Sequence, residues 1–219
     1  MFSEKFKKKI PHFILFAYEK ISIRRRNSLK NQVASYKHWL AQNKPLPPPH
    51  IVKQKVVEEF KEKFNLHNLV ETGTFLGDMV YSQINNFTEI ISIELDETLF
   101  HDAENKFKKN KNVNIIQGDS GKVLKNIINK FNELCLFWLD GHYSAGFTAK
   151  GETETPILEE LNTILSNKLD HIILIDDARC FTGENDYPTL NFLKDYVYSK
   201  KDKYHIEVID DIIRLFPKN

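Results

Sequence analysis

Beyond residue 50 the chain alternates short, nearly continuous apolar runs with longer stretches in which apolar positions recur every three or four residues. The short runs, Asn68–Glu71, Glu89–Glu94, Val113–Gly118, Leu134–Asp140 and His171–Asp176, fit strands buried on both faces, as in a parallel sheet covered by helices. Between them the helical period predicts helices over Val52–Phe64, from Leu76, and over Glu97–Lys109, Gly121–Phe131, Pro156–Leu165 and Thr189–Lys200. Two strand-like runs close the pattern, HIEVI and IIRLF, with only Asp210–Asp211 between them. Two residues join antiparallel neighbours but not parallel ones, so the sheet is expected to finish with a reversed strand. The fold class is therefore α/β: a three-layer sandwich around a mostly parallel, seven-stranded sheet whose last strand is antiparallel.

The first 50 residues break this pattern. PLPPPH, Pro45–His50, cannot continue a helix and marks a linker, so a domain is expected over residues 51–219 and an arm with its linker over residues 1–50. The arm holds 11 Lys/Arg against 2 Asp/Glu, leaving 20 against 28 for the rest, although the whole chain is nearly neutral at +1. Within MFSEKFKKKIPHFILFAYEKISIRRR an aromatic run lies between two basic clusters. Glu19 and Lys20 cut the apolar stretch short and no small-residue cleavage site follows, against a signal peptide. A helical arm packing on the main domain or on a second subunit of a homo-oligomer fits, as does a peripheral segment leaning on anionic lipid at the inner face of a membrane. The acidic remainder gives nucleic acid no electrostatic footprint. Two cysteines, Cys135 and Cys180, make neither a disulfide framework nor a metal motif, which suits a reduced, cytoplasmic setting.

In open α/β sheets ligands bind beyond the carboxyl ends of the strands. Five successive predicted strands end in acid there: Glu71, then Glu94 with Asp96, Asp119 beside Ser120, Asp140, and Asp176 with Asp177. After the first comes VETGTFLGDM, a turn in which Gly73 and Gly77 would let backbone and helix amides approach a ligand. It is not G-x-G-x-x-G, the dinucleotide fingerprint. Glu94 follows Gly73 by 21 positions, a spacing that suits a carboxylate accepting both hydroxyls of a ribose, or a helix cap. Asp119 and Ser120 suit a helix cap and a polar edge for an adenine ring.

In their order, VETGTFLG, IISIELD, NIIQGDS, LFWLDGHYSAG and ILIDDAR resemble the motifs of class I S-adenosylmethionine-dependent methyltransferases, with the nearest likeness to small bacterial O-methyltransferases of natural-product and surface-sugar pathways. The resemblance spans about residues 51–219 and implies a Rossmann-like domain. It further implies that Glu71 and Gly73 lie by the methionine part of the cofactor, that Glu94 holds its ribose and that Asp119 lies by its adenine, with Thr74, Gly77, Ser120 and Asp140 as the other candidate cofactor contacts. The first motif carries two glycines where the family's fuller pattern has more.

Asp140, Asp176 and Asp177 would converge three carboxylates from neighbouring strands, an oxygen-rich set that suits Mg²⁺. Successive strand residues face opposite ways, so Asp176 and Asp177 can share an ion only where the strand breaks. His142 would sit at the mouth of the site as a proton acceptor, with Asp140 beside it, and Tyr143 and Arg179 are candidate substrate contacts. The polar stretch His142–Pro156 is long enough to close over a substrate. The expected chemistry is methyl transfer to a hydroxyl of a sugar, nucleotide-sugar or related small molecule. The competing readings are a non-catalytic nucleotide-binding or scaffold protein of the same fold and an NAD-dependent oxidoreductase.

Overall fold

A computed structural model describes residues 28–141 and 155–218. The chain divides between Lys44 and Pro45 into two units. In the first, helix α1 (Leu29–Ala41) ends where the Lys44 amide reaches back to the Trp39 carbonyl. The more N-terminal part of the basic arm, to residue 27, lies outside the described residues.

The second unit holds α2 (His50–Lys63), β1 (Asn68–Thr72), α3 (Asp78–Gln83), β2 (Glu89–Glu94), α4 (Glu97–Phe107), β3 (Val113–Gln117) and α5 (Ser120–Ile127). These are followed by β4 (Cys135–Leu139), α6 (Ile157–Leu165), β5 (Ile172–Ile175), α7 (Leu190–Lys200), β6 (Tyr204–Ile209) and β7 (Ile212–Pro217). The seven strands form one sheet in the order β3-β2-β1-β4-β5-β7-β6. All neighbours pair in parallel except β7, which runs antiparallel to both β5 and β6. The expected reversal is therefore present. Its turn has positive φ at both Asp210 and Asp211, the form that joins two strands most tightly.

Period-two burial explains why the central strands read as unbroken apolar runs. In β4, Cys135, Phe137 and Leu139 join a core with α5, α6 and α7, while Leu136 and Trp138 join the opposite core with α2, α3 and α4. Both faces are covered, so each strand position buries a side chain, at about 1.5–3 kcal/mol for a large apolar one. The register sets the carboxyl ends level: Thr72 lies opposite both Ile93 and Leu139, and Leu139 opposite Ile175. A rim of strand ends results, with strand order reversing between β1 and β4. Among the described residues no helix is long and apolar enough to cross a membrane.

Candidate functional site

At the end of β1 the chain turns sharply, and the turn is built from inside. The buried Ser92 hydroxyl of β2 lies opposite Glu71, hydrogen-bonds to its carboxylate, and pairs with the Thr74 hydroxyl at 2.6 Å. Glu71 and Thr74, both buried, are thus tied together beneath the turn. Burial pushes the Glu71 carboxyl well above the ordinary range, with Asp140, Glu94 and Asp78 adding to the effect and the Ser92 hydrogen bond opposing it.

The two glycines serve the protein's own packing. At Gly73, with φ at 83°, a Cβ would stand 2.5 Å from the Asp140 carbonyl oxygen. The loops after β1 and β4 cross there, so the chain's own packing requires a glycine at this position. At Gly77, also left-handed, a Cβ would stand 2.6 Å from the Phe107 ring, which makes this glycine a seat for α4. Phe75 between them adopts φ of 47°, a conformation aromatic residues avoid, and is partly exposed.

That strained turn aims the Phe75 amide at Glu94. Its N–H donates to Glu94 Oε2 at 2.7 Å, and the Asp96 amide donates to Oε1 at 2.9 Å. Glu94 is buried, and its carboxyl is raised above the ordinary range by that burial, against the pull of the two amides. The Leu95 amide also draws the carboxyl downward, and since a carboxylate accepts about four hydrogen bonds in all, Glu94 keeps capacity for an incoming hydroxyl. The helix-cap role falls instead to Asp96, which accepts from the Thr98 and Leu99 amides at the start of α4.

Asp119 caps α5 through the Gly121 amide, as its position suggested. Ser120 is committed elsewhere: its hydroxyl donates to Glu160 at 2.5 Å. Glu160 lies on the apolar face of α6 and is almost wholly buried. Burial raises its carboxyl to about 7, partly offset by Ser120 and by the nearby Thr72 hydroxyl, whose contact falls short of a full hydrogen bond.

Asp140, Asp176 and Asp177 do gather at the ends of β4 and β5, but a lysine has entered among them. Lys53, in the first turn of α2, forms an ion pair with Asp176 and lies 3.9 Å from Asp177. Burial works against the Lys53 ammonium, yet Asp176, Asp140 and Asp177 outweigh it and hold the lysine above its ordinary range. Burial and Asp140 push the Asp176 carboxyl upward, and Lys53 opposes them. The strand does break, since β5 ends at Ile175 and Asp177 is left-handed. The break turns Asp177 towards Arg179, 2.7 Å away, and Arg179 also pairs with buried Asp211 in the β6–β7 turn. Arg179 is thereby a clamp rather than an open substrate contact. Among the described residues no three acidic, histidine or cysteine side chains are arranged to hold a metal ion, and the carboxylates expected to do so are met by a lysine and an arginine.

His142 and Tyr143, and the polar stretch apart from Thr155 and Pro156, lie outside the described residues. Lys53, Ser92 and Glu160 carry no site reading in the sequence, and Asp211 reads there only as a turn residue. Glu160 had a signal, being the one acid level with Ile157, Leu161 and Ile164 on an apolar helix face. Lys53 had a fainter one, because a basic residue in a helix's first turn opposes the helix dipole.

No family model matches the chain, and no curated protein does. Solved structures do match in fold. A protein described as a caffeoyl-CoA O-methyltransferase from Staphylococcus aureus is 15% identical with a TM-score of 0.53, over 93% of this chain and 98% of that one. The tomaymycin-synthesis O-methyltransferase TomG of Streptomyces achromogenes, solved with S-adenosylmethionine, is 11% identical with a TM-score of 0.57, over 85% and 89%. A Podospora anserina methyltransferase bound to S-adenosylhomocysteine is 14% identical with a TM-score of 0.55, over 100% and 98%. The chain shares their Rossmann-like fold.

Proposed function

We propose that this chain is an S-adenosylmethionine-dependent O-methyltransferase that acts on a hydroxyl of a sugar, nucleotide-sugar or related small molecule. The observation that carries the reading is Glu94, a buried strand-end carboxylate held through both oxygens by the Phe75 and Asp96 amides and with acceptor capacity to spare, at the end of β2 in a fold shared with methyltransferases solved with this cofactor or its product. The charge of the rim supports it. S-adenosylmethionine carries a net positive charge at its sulfonium, and Glu71, Glu94 and Asp140 lie close enough to oppose one another's ionisation, a repulsion that a cation among them relieves. An NAD-dependent oxidoreductase would bring a dianionic pyrophosphate to the same acids, and the turn lacks the glycine pattern that cradles one.

When bound, the cofactor supplies an electrophilic methyl group, which the acceptor oxygen takes as the carbon–sulfur bond breaks and its electron pair stays on sulfur. The chain's part is placement and proton removal. Glu94 holds the ribose, the packed Gly73–Asp140 crossing fixes the wall beside it, and Asp140 or His142 receives the hydroxyl proton. Alignment of this kind contributes several kcal/mol to catalysis. No step is routed through Mg²⁺, because Lys53 and Arg179 already stand against the carboxylates of Asp176 and Asp177.

Titration calorimetry tests the proposal. S-adenosylhomocysteine should bind one per chain and NADH should not, and Glu94→Gln should weaken binding about 10- to 100-fold, as for loss of charge on a paired acceptor. Binding of NADH in place of the nucleoside, or no change in Glu94→Gln, would overturn it. Methyl transfer to sugar and nucleotide-sugar hydroxyls then decides between an enzyme and a scaffold of the same fold.

A further inference from the structure

Lys53 is out of place by every local rule. It stands in the first turn of α2, where positive charge opposes the helix dipole, it is only 15% exposed, and its partner Asp176 is a buried acid that a well-packed apolar pair could replace without loss of stability. Residues that break local rules together gather where a fold does its chemistry. Here they gather at the ends of β4 and β5, where Asp140 and Asp176 line one small cavity of about 10 Å³, room for roughly one water molecule.

We propose that Lys53 is the resident cation of this rim: its ammonium takes the position among Asp140, Asp176 and Asp177 that a divalent ion would otherwise hold, so that the acceptor oxygen meets a charge carried by the protein. Three observations converge. Asp176, the most buried of the three acids, gives its carboxylate to Lys53. Asp177 Oδ1 lies 3.9 Å from the Lys53 ammonium and accepts from Arg179 at 2.7 Å, so this acid too is already answered by protein cations. Among the described residues Lys53 uses one of its three donors, on Asp176, which leaves hydrogens to meet an incoming oxygen.

The inference rests on the methyl-transfer reading for its role in turnover, in which the hydroxyl gives its proton to Asp140 while the ammonium donates a hydrogen bond to the oxygen as it becomes anionic. Its charge-replacement half stands apart from that reading and is tested first, with Mn²⁺ as the probe. Electron paramagnetic resonance of the full chain titrated with Mn²⁺ should show no saturable site at millimolar concentration, whereas Lys53→Met, which keeps an apolar stem, should gain one that Asp176→Asn in the same chain removes. A saturable site in the unaltered protein that Asp176→Asn abolishes would overturn the inference, as would failure of a folded Lys53→Met to gain one. Lys53→Gln serves the same comparison should the methionine variant not fold. In methyl-transfer assays the unaltered enzyme should keep its full rate in chelator and Lys53→Met should lose at least tenfold in kcat with unchanged S-adenosylhomocysteine affinity. A chelator-sensitive rate would overturn the inference while leaving the methyl-transfer reading intact; loss of nucleoside binding by the unaltered chain would sink that reading and leave the Mn²⁺ result to judge Lys53 alone.

Discussion

Replacing Glu160 by glutamine swaps a buried, titrating acid for a neutral group of the same shape, and the structure fixes both the sign and the size of the result. In the unfolded chain this carboxyl titrates near 4.5, and in the folded chain burial beneath Gly141 and Ser120 raises it to about 7. An acid whose folded value is raised favours folding most when protonated: its contribution is complete below about pH 4.5 and is lost as pH rises through 7. The shift corresponds to about 3 kcal/mol. Glutamine has nothing to ionise, and its amide oxygen still accepts from the Ser120 hydroxyl. Urea unfolding should therefore show the two proteins within about 1 kcal/mol at pH 5 and Glu160→Gln more stable by about 2–3 kcal/mol at pH 8.5, or roughly 4–12 °C in Tm for a chain of this size. Equal stability of the two at pH 8.5, or a gap independent of pH, would refute the picture of a carboxyl desolvated by the fold.

Three further outcomes follow from the same geometry. Gly73→Ala forces a Cβ against the Asp140 carbonyl in left-handed backbone, so it should destabilise by about 2–5 kcal/mol, whereas relief of a merely empty ligand cradle would leave chemical denaturation unchanged. Asp211→Asn keeps a residue that tolerates the turn but removes the charge held by Arg179; discounting for the part-exposed arginine, it should cost about 1–3 kcal/mol in thermal unfolding, and an unchanged melting curve would deny the clamp. S-adenosylmethionine affinity should rise relative to S-adenosylhomocysteine affinity as pH climbs above 4.5, because Glu71 and Glu94 must ionise from raised values to greet a cation; calorimetry giving a constant ratio from pH 5 to 8 would contradict this.

The sheet was legible because burial on both faces writes itself as uninterrupted apolar runs, and β2 matches its expected bounds, Glu89–Glu94, at both ends. The closing reversal was legible from the two residues between HIEVI and IIRLF. Helix α3 starts at Asp78 rather than Leu76 because Phe75 and Gly77 take left-handed backbone, a choice imposed by Glu94 and Phe107 from elsewhere in the chain. The site was legible as a set of strand-end acids and illegible as a set of pairings. Glycines that read as room for a ligand are also demanded by close packing on Asp140 and Phe107, and acids that read as ligands for an ion are answered by Lys53 and Arg179. Such partners lie 123 positions away in the case of Lys53 and Asp176, across a strand order that no local pattern records.

The Arg179–Asp211 clamp also sets a timetable. Its halves stand 32 positions apart, so during synthesis from the N-terminus Asp140, Asp176 and Asp177 leave the ribosome well before the hairpin that restrains the last of them. A nascent chain carries the rim's acids in advance of their anchor. The pairing of β7 with β5 brings Asp211 to Arg179, and with it the last restraint on Asp177.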